Sequence, residues 1–166
     1  MEIINTFFED LSYHNDYNQH AYKFFTCFSR FEYALKRAGF LHTPRGQTFA
    51  HASLNDYATS IEQTVNLDES TIKESVDYII ENPPNVLHFV NGSLHWIPLS
   101  PQSRSLIFIL DCMRTTRNNH FHGNKQLPGN NIHRNTRLIS SFLPIIDYLL
   151  QLNETVQNHF LSQLEE

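Results

Sequence analysis

DYNQHAYKFFTCFSRFEYALKRAGF (16–40) is the stretch on which the fold turns. Tyr17, Ala21, Phe24, Phe25, Phe28, Phe31, Leu35 and Ala38 recur at three- and four-residue steps, which is the period of one apolar face of an α-helix. The opposite side carries Arg30, Lys36 and Arg37, with Glu32 near the boundary. Gly39 follows as the residue that lets a helix end in a left-handed turn. A helix over about 16–38 with an aromatic face predicts a helical core, and the chain's thirteen Phe residues supply bulk for it.

Working outward, residues 2–11 (EIINTFFEDL) predict a short amphipathic helix and 41–53 (LHTPRGQTFAHAS) a loop, because Pro44 and Gly46 interrupt any helix. Ser53 is placed to cap a helix over 54–65. Asp68-Glu69-Ser70 opens another over about 69–81, with Ile72, Val76, Ile79 and Ile80 as its apolar positions and Pro83-Pro84 as its stop. The period then changes. VLHFVNGSLHWIPL (86–99) sets Asn91-Gly92 between β-prone arms, the strongest short hairpin signal. His88 and His95 lie in those arms, either as cross-strand packing or as a metal pair lacking a third ligand nearby in sequence.

Ser100-Pro101 predicts a helix start, Ser at the N-cap and Pro at N1, and a helix running to about 119. Leu106, Ile107, Leu110 and Met113 descend one side of it, with Arg117 a turn further on and Gly123 as the stop. KQLPGNN (125–131) reads as a loop. A long helix over about 132–152, with Pro144 as an expected kink, is followed by one over 153–164 capped by Asn153. The reading is four or five helices plus one hairpin in a single domain, 1–166.

Composition narrows the class. Of 166 residues 40% are hydrophobic and 13% aromatic, a packed globule rather than a disordered chain. A chain of this length buries roughly two-thirds of the surface its unfolded form exposes. Cys27 and Cys112 share no short motif and lie in apolar-periodic stretches, which predicts two reduced thiols in a cytoplasmic protein. The opening MEIINTFFEDL lacks a basic n-region, so no signal peptide is expected, and the apolar runs 106–110 and 142–150 are too short or interrupted for a membrane span.

The net charge of −5 argues against a nucleic-acid coat, but its distribution is uneven. Between Cys112 and Ile139 stand five cations (Arg114, Arg117, Lys125, Arg134, Arg137) and no acid, while the rest of the chain holds seven cations and 17 acids. A small phosphate-bearing site fits such an island better than a long duplex-binding face, and a solvated basic loop is the plainer account.

RTTRNNHFHGNK (114–125) concentrates the island: three cations, three amides and two imidazoles in twelve residues. In an unbroken helix Arg117 and His122, five apart, lie about 140° apart around the axis. A turn at Gly123 permits them to converge. Arginine stays charged and grips phosphate through two parallel hydrogen bonds. Histidine titrates near neutral pH and serves as acid or base. Asn118 can donate to a phosphate oxygen or hold the His122 ring. Such a set suits RNA cleavage by the neighbouring 2′-hydroxyl, which needs a base, an acid and a cation for the phosphorane oxygens. A second histidine would come from a second copy across a twofold axis.

The string Arg117-Asn118-Asn119-His120-Phe121-His122-Gly123, with Lys125 after it, resembles the R-x(4–6)-H signature of the HEPN superfamily. RFEYALKRAGF (30–40) is similar to the first-helix pattern of some of its branches. The resemblance implies an all-α fold, a four- to five-helix up-and-down bundle with a small inserted β-hairpin at about 86–97. It implies a homodimer and a metal-independent endoribonuclease, a toxin or phage-defence effector, with no cofactor. Arg117 and His122 match the catalytic pair, Asn118 the polar position after the arginine, and Glu32 an acid of the first helix that orders the site. An antitoxin or regulatory protein is the implied partner besides RNA, and the membrane is not. One position departs from the pattern: where nucleotide-transfer antitoxins modify a Tyr two residues after the His, this chain has Asn124.

Plainer readings stand beside these. Arg117 and His122 also suit a helix C-terminus, whose dipole favours cations by about 0.3–1 kcal/mol. Arg114 touches phosphate or only solvent; Lys125 contacts phosphate or sits in a loop. Glu32 orders the site or pairs with Lys36 at i+4. His120 reads as an exposed spacer. A nucleotide- or RNA-binding module without turnover, and a helical dimerisation scaffold, are the alternatives to an enzyme. A P-loop ATPase is not among them, for the chain has no Gly-rich phosphate loop.

Overall fold

The protein is seen in a computed structural model that describes residues 15–46, 48–100, 104–121 and 131–162. The expected helix at 2–11, together with His122, Gly123 and Lys125, lies outside the described residues.

The aromatic stretch forms helix α1, Asn15–Arg37. Tyr17, Ala21, Phe24, Phe28, Phe31, Ala34 and Leu35 are buried, which is the stripe the spacing predicts. Its end is a Schellman turn: Phe40 N–H donates to the Leu35 carbonyl at 2.9 Å and Gly39 N–H to the Lys36 carbonyl at 3.2 Å. That turn needs a left-handed residue at Gly39, whose φ is 91°.

The expected loop at 41–53 is partly a ribbon. β1 (Leu41–His42) pairs antiparallel with β2 (His51–Ala52), Leu41 opposite Ala52 and His42 opposite His51. The ladder was hidden because neither strand is long enough to show a period. Helix α2, Leu54–Ser60, is shorter than expected but starts where predicted, with the Ser53 side chain accepting from Asp56 N–H. Helix α3 (Lys73–Glu81) begins four residues after the expected Glu69, whose carbonyl instead closes turns to Ile72 and Lys73.

The hairpin is β3 (Asn85–Val90) and β4 (Ser93–Pro98), with Asn91 at φ 49° and Gly92 at φ 80° as the two left-handed residues of its turn. His88 faces His95 across the ladder. Residues 88–98 are exposed, including Phe89 and Leu94.

Helix α4 spans Leu106–Phe121. The predicted start at Ser100-Pro101 is corrected: Arg104 and Ser105 are not helical, and the Ser105 hydroxyl accepts from Phe108 N–H at the real start. The predicted face is rotated too. Ile107 is 45% exposed, whereas Ile109, Cys112 and Met113 are fully buried. The helix packs against α2, α3 and β3, and covered on several sides it buries more than one stripe. α5 (Ile132–Gln151) runs through Pro144, and α6 (Glu154–Leu161) starts with the Asn153 side chain accepting from Val156 N–H.

Among the described residues the architecture is thus six helices with two small two-stranded ladders, a mainly helical fold. α1 lies against α5 and α6, with the Phe24 and Phe142 rings 5.3 Å apart. Tyr57 of α2 meets Phe31 and Phe40 edge-on, and its hydroxyl donates to the Leu149 carbonyl at 2.6 Å. Arg30 Nε donates to the Phe160 carbonyl at 2.8 Å and holds the end of α6 on α1. None of these helices is long and apolar enough to cross a membrane.

Candidate functional site

Arg117 lies one helical step after buried Thr116, so its stem leaves α4 at the edge of the core. The guanidinium reaches across to α1. Its Nη2 donates to Glu32 Oε1 at 2.7 Å, and its Cζ stands 5.5 Å from the centre of the Phe28 ring. Both side chains of the pair are only 26% exposed, so the ion pair is partly shielded from water. Glu32 therefore pairs across helices, not with Lys36. A guanidinium carries five N–H donors, and among the described residues one of them is committed to this carboxylate.

Phe25, Phe28, Ser29, Glu32 and Arg117 line a cleft of about 240 Å³. It offers a cation, a carboxylate, a hydroxyl and two aromatic walls. Such a surface can hold a phosphate by charge-assisted hydrogen bonds, with the half-buried Phe25 ring as its accessible apolar wall and the Phe28 ring buried behind Arg117. Among the described residues its lining includes no histidine. Sequence reading assigned Phe25 and Phe28 to the core and passed over Ser29, since helical periodicity does not distinguish a core wall from a cleft wall.

The other sequence candidates separate. Asn118 is half-buried and does not line the cleft. Arg114 points to solvent and bonds Asp111 of its own helix at 2.7 Å, so it does not join Arg117. His122 and Lys125 fall outside the described residues, so the expected meeting of Arg117 with His122 does too. Asn119, which the sequence reading did not single out, is buried and donates to the Asn85 carbonyl at 2.7 Å, tying α4 to the base of the hairpin.

His120 is not the exposed spacer expected. It is half-buried, and its Nδ1 lies 2.8 Å from the Thr116 carbonyl oxygen. Its Nε2 is hydrogen-bonded to the Tyr17 hydroxyl, and its ring lies 5.9 Å from the Tyr17 ring and 5.1 Å from Phe25. Burial pushes the Tyr17 phenol up to about 12, so it keeps its proton at neutral pH.

Three of the five cations of the basic island stand beside carboxylates. Arg114 meets Asp111, Arg117 meets Glu32, and Arg137 meets Glu74 at 3.3 Å while lying over the Tyr78 ring. Arg134 donates to the Asn82 and Pro83 carbonyls where α3 ends. Acids distant in sequence thus stand beside two of the five cations, Arg117 and Arg137. No family model, no curated protein and no solved structure matches this chain.

Proposed function

We propose that the chain is a metal-independent endoribonuclease of the HEPN type, a toxin or phage-defence effector working in the cytoplasm, with a composite site shared by two copies. One observation carries the reading. The two stretches that resemble the family, 30–40 and 117–125, lie 85 residues apart at Glu32 and Arg117, yet these residues bond across α1 and α4 beside a cleft. Two unrelated coincidences of sequence have no reason to meet. The mainly helical architecture is in keeping with the up-and-down bundle that the resemblance implies.

In the proposed reaction His122 takes the proton of the RNA 2′-hydroxyl, whose oxygen attacks the adjacent phosphorus. The P–O5′ bond breaks, and the leaving oxygen receives a proton from the second copy's histidine. A 2′,3′-cyclic phosphate remains. Arg117 neutralises the phosphorane oxygens, while Glu32 and Phe28 hold the guanidinium still. Each positioned acid or base contributes about 10²–10⁴-fold. With Asn124 where a modifiable Tyr would stand, a partner antitoxin or regulatory protein would silence the enzyme by binding rather than by nucleotide transfer.

The test is cleavage of RNA by the purified protein in EDTA. His122→Ala and Arg117→Ala should each abolish cutting while the protein stays folded. Cutting that survives in His122→Ala, or that requires a divalent ion, refutes the proposal. The make-up of the cleft favours a second reading, a nucleotide- or RNA-end-binding module: among the described residues its lining holds a cation and a half-buried aromatic ring, and no histidine. That reading predicts a nucleotide-induced rise in Tm with no nuclease activity.

A further inference from the structure

The last turn of a helix lacks intrahelical partners for its carbonyls, and the first turn lacks them for its N–H groups, so both ends fray unless something holds them. His120 stands one residue before the end of α4, and Tyr17 is in the first turn of α1. They are 103 residues apart in sequence and joined side chain to side chain.

The partners fix the proton. A carbonyl oxygen only accepts, so the nitrogen facing Thr116 must be Nδ1–H. In the neutral ring Nε2 is then the bare acceptor, and the Tyr17 hydroxyl donates to it. Phe25 packs on the same ring, and Phe25 also lines the cleft that holds Arg117. Arg117 and His120 are three residues apart on α4, which sets both on the side facing α1.

We propose that His120 is a positioning residue: engaged on both ring nitrogens, it clamps the end of α4 to the start of α1 and sets the point from which the chain continues to His122. It is not a catalytic residue, because neither nitrogen is left to exchange a proton with substrate. Its consequence for turnover rests on the ribonuclease reading; the clamp itself does not.

The experiment has two arms. In the first, nitrogen-15 imidazole spectra of the full chain, assigned with His120→Phe, should show His120 as the Nδ1–H tautomer. Tyr17→Phe deletes one oxygen and keeps the ring; it should shift the Nε2 resonance toward that of an unbonded acceptor. Amide exchange at 117–121 should then rise about tenfold, the scale set by losing one part-buried hydrogen bond, with α5 unchanged. An Nε2–H tautomer, or exchange at 117–121 that Tyr17→Phe leaves as it was, overturns the clamp. In the second arm, Tyr17→Phe should lower kcat about tenfold with KM within twofold, as expected when a reacting group is misplaced rather than substrate binding lost. Unchanged kcat in an active enzyme overturns the positioning role. A wild-type protein that cuts no RNA refutes the ribonuclease reading alone, and the first arm still decides the clamp.

Discussion

Glu32 Oε1 and Arg117 Nη2 are 2.7 Å apart, joining the last turns of α1 to the last turns of α4. Both groups are mostly withdrawn from water, so neither is well solvated without the other. Removing one leaves a partly buried charge, which costs more than the pair contributes when intact.

A double-mutant cycle should expose this. Glu32→Ala and Arg117→Ala each lower stability by about 1–3 kcal/mol, the range for a charged hydrogen bond, and the double variant loses less than the sum. Urea unfolding of the four proteins measures the coupling. Additive losses would show that the two side chains do not depend on each other.

Alkaline pH should destabilise the fold early. Burial, helped by neighbouring Asp111, pushes the Cys112 thiol from 9.0 up to about 12, and burial pushes Tyr17 from 10.0 to about 12. Tyr57 is raised by burial as well. In each case the fold holds the proton more tightly than the unfolded chain does. The stabilisation is complete below the unfolded value and is lost as pH rises toward the folded one. Tm should therefore fall from about pH 9, more steeply past 10 as the tyrosines join. Cys112→Ala should flatten the first part of that slope; an identical slope would remove Cys112 as its source.

Gly39→Ala tests the end of α1. A Cβ there meets nothing within 4 Å, so the change adds no clash, but φ is 91° and a side chain strains the backbone. A loss of about 1–2 kcal/mol is expected, read as a lower urea midpoint. No loss would mean that the Schellman turn relaxes at no cost.

Asn119→Ala removes the donor to the Asn85 carbonyl. The expected cost is about 0.5–1.5 kcal/mol, the net worth of one hydrogen bond, since the acceptor is only half-buried. Amide exchange in 85–98 should rise more than in α5. Equal rises would show that the bond does not tether the hairpin.

How much of this was legible follows from the range of each signal. The α1 stripe, the Gly39 stop, the Asn91-Gly92 turn and the Ser53 and Asn153 caps were all read within a few residues of where they act. The start of α4 was misread because Ser100-Pro101 is a good local cap, while the helix that packs begins where Ser105 bonds Phe108 N–H. His120 was misjudged for a similar reason: no residue near it in sequence announces Tyr17. Of the site, Arg117 and Glu32 are legible in the sequence, but that Glu32 bonds Arg117 rather than Lys36 is decided only by the fold.

By itself the sequence determined that helices dominate, where most of them stop, and that one hairpin interrupts them. Periodicity, caps and left-handed turn residues are short-range chemistry, and they act before the chain folds. Tertiary structure alone decided which charges meet and which histidine is drawn half out of water. Those outcomes depend on packing α1 against the rest of the core, which brings together groups that no local interaction couples. Of the five cations that stand together between Cys112 and Ile139 along the chain, two lie in the folded protein beside Glu32 and Glu74, from distant helices.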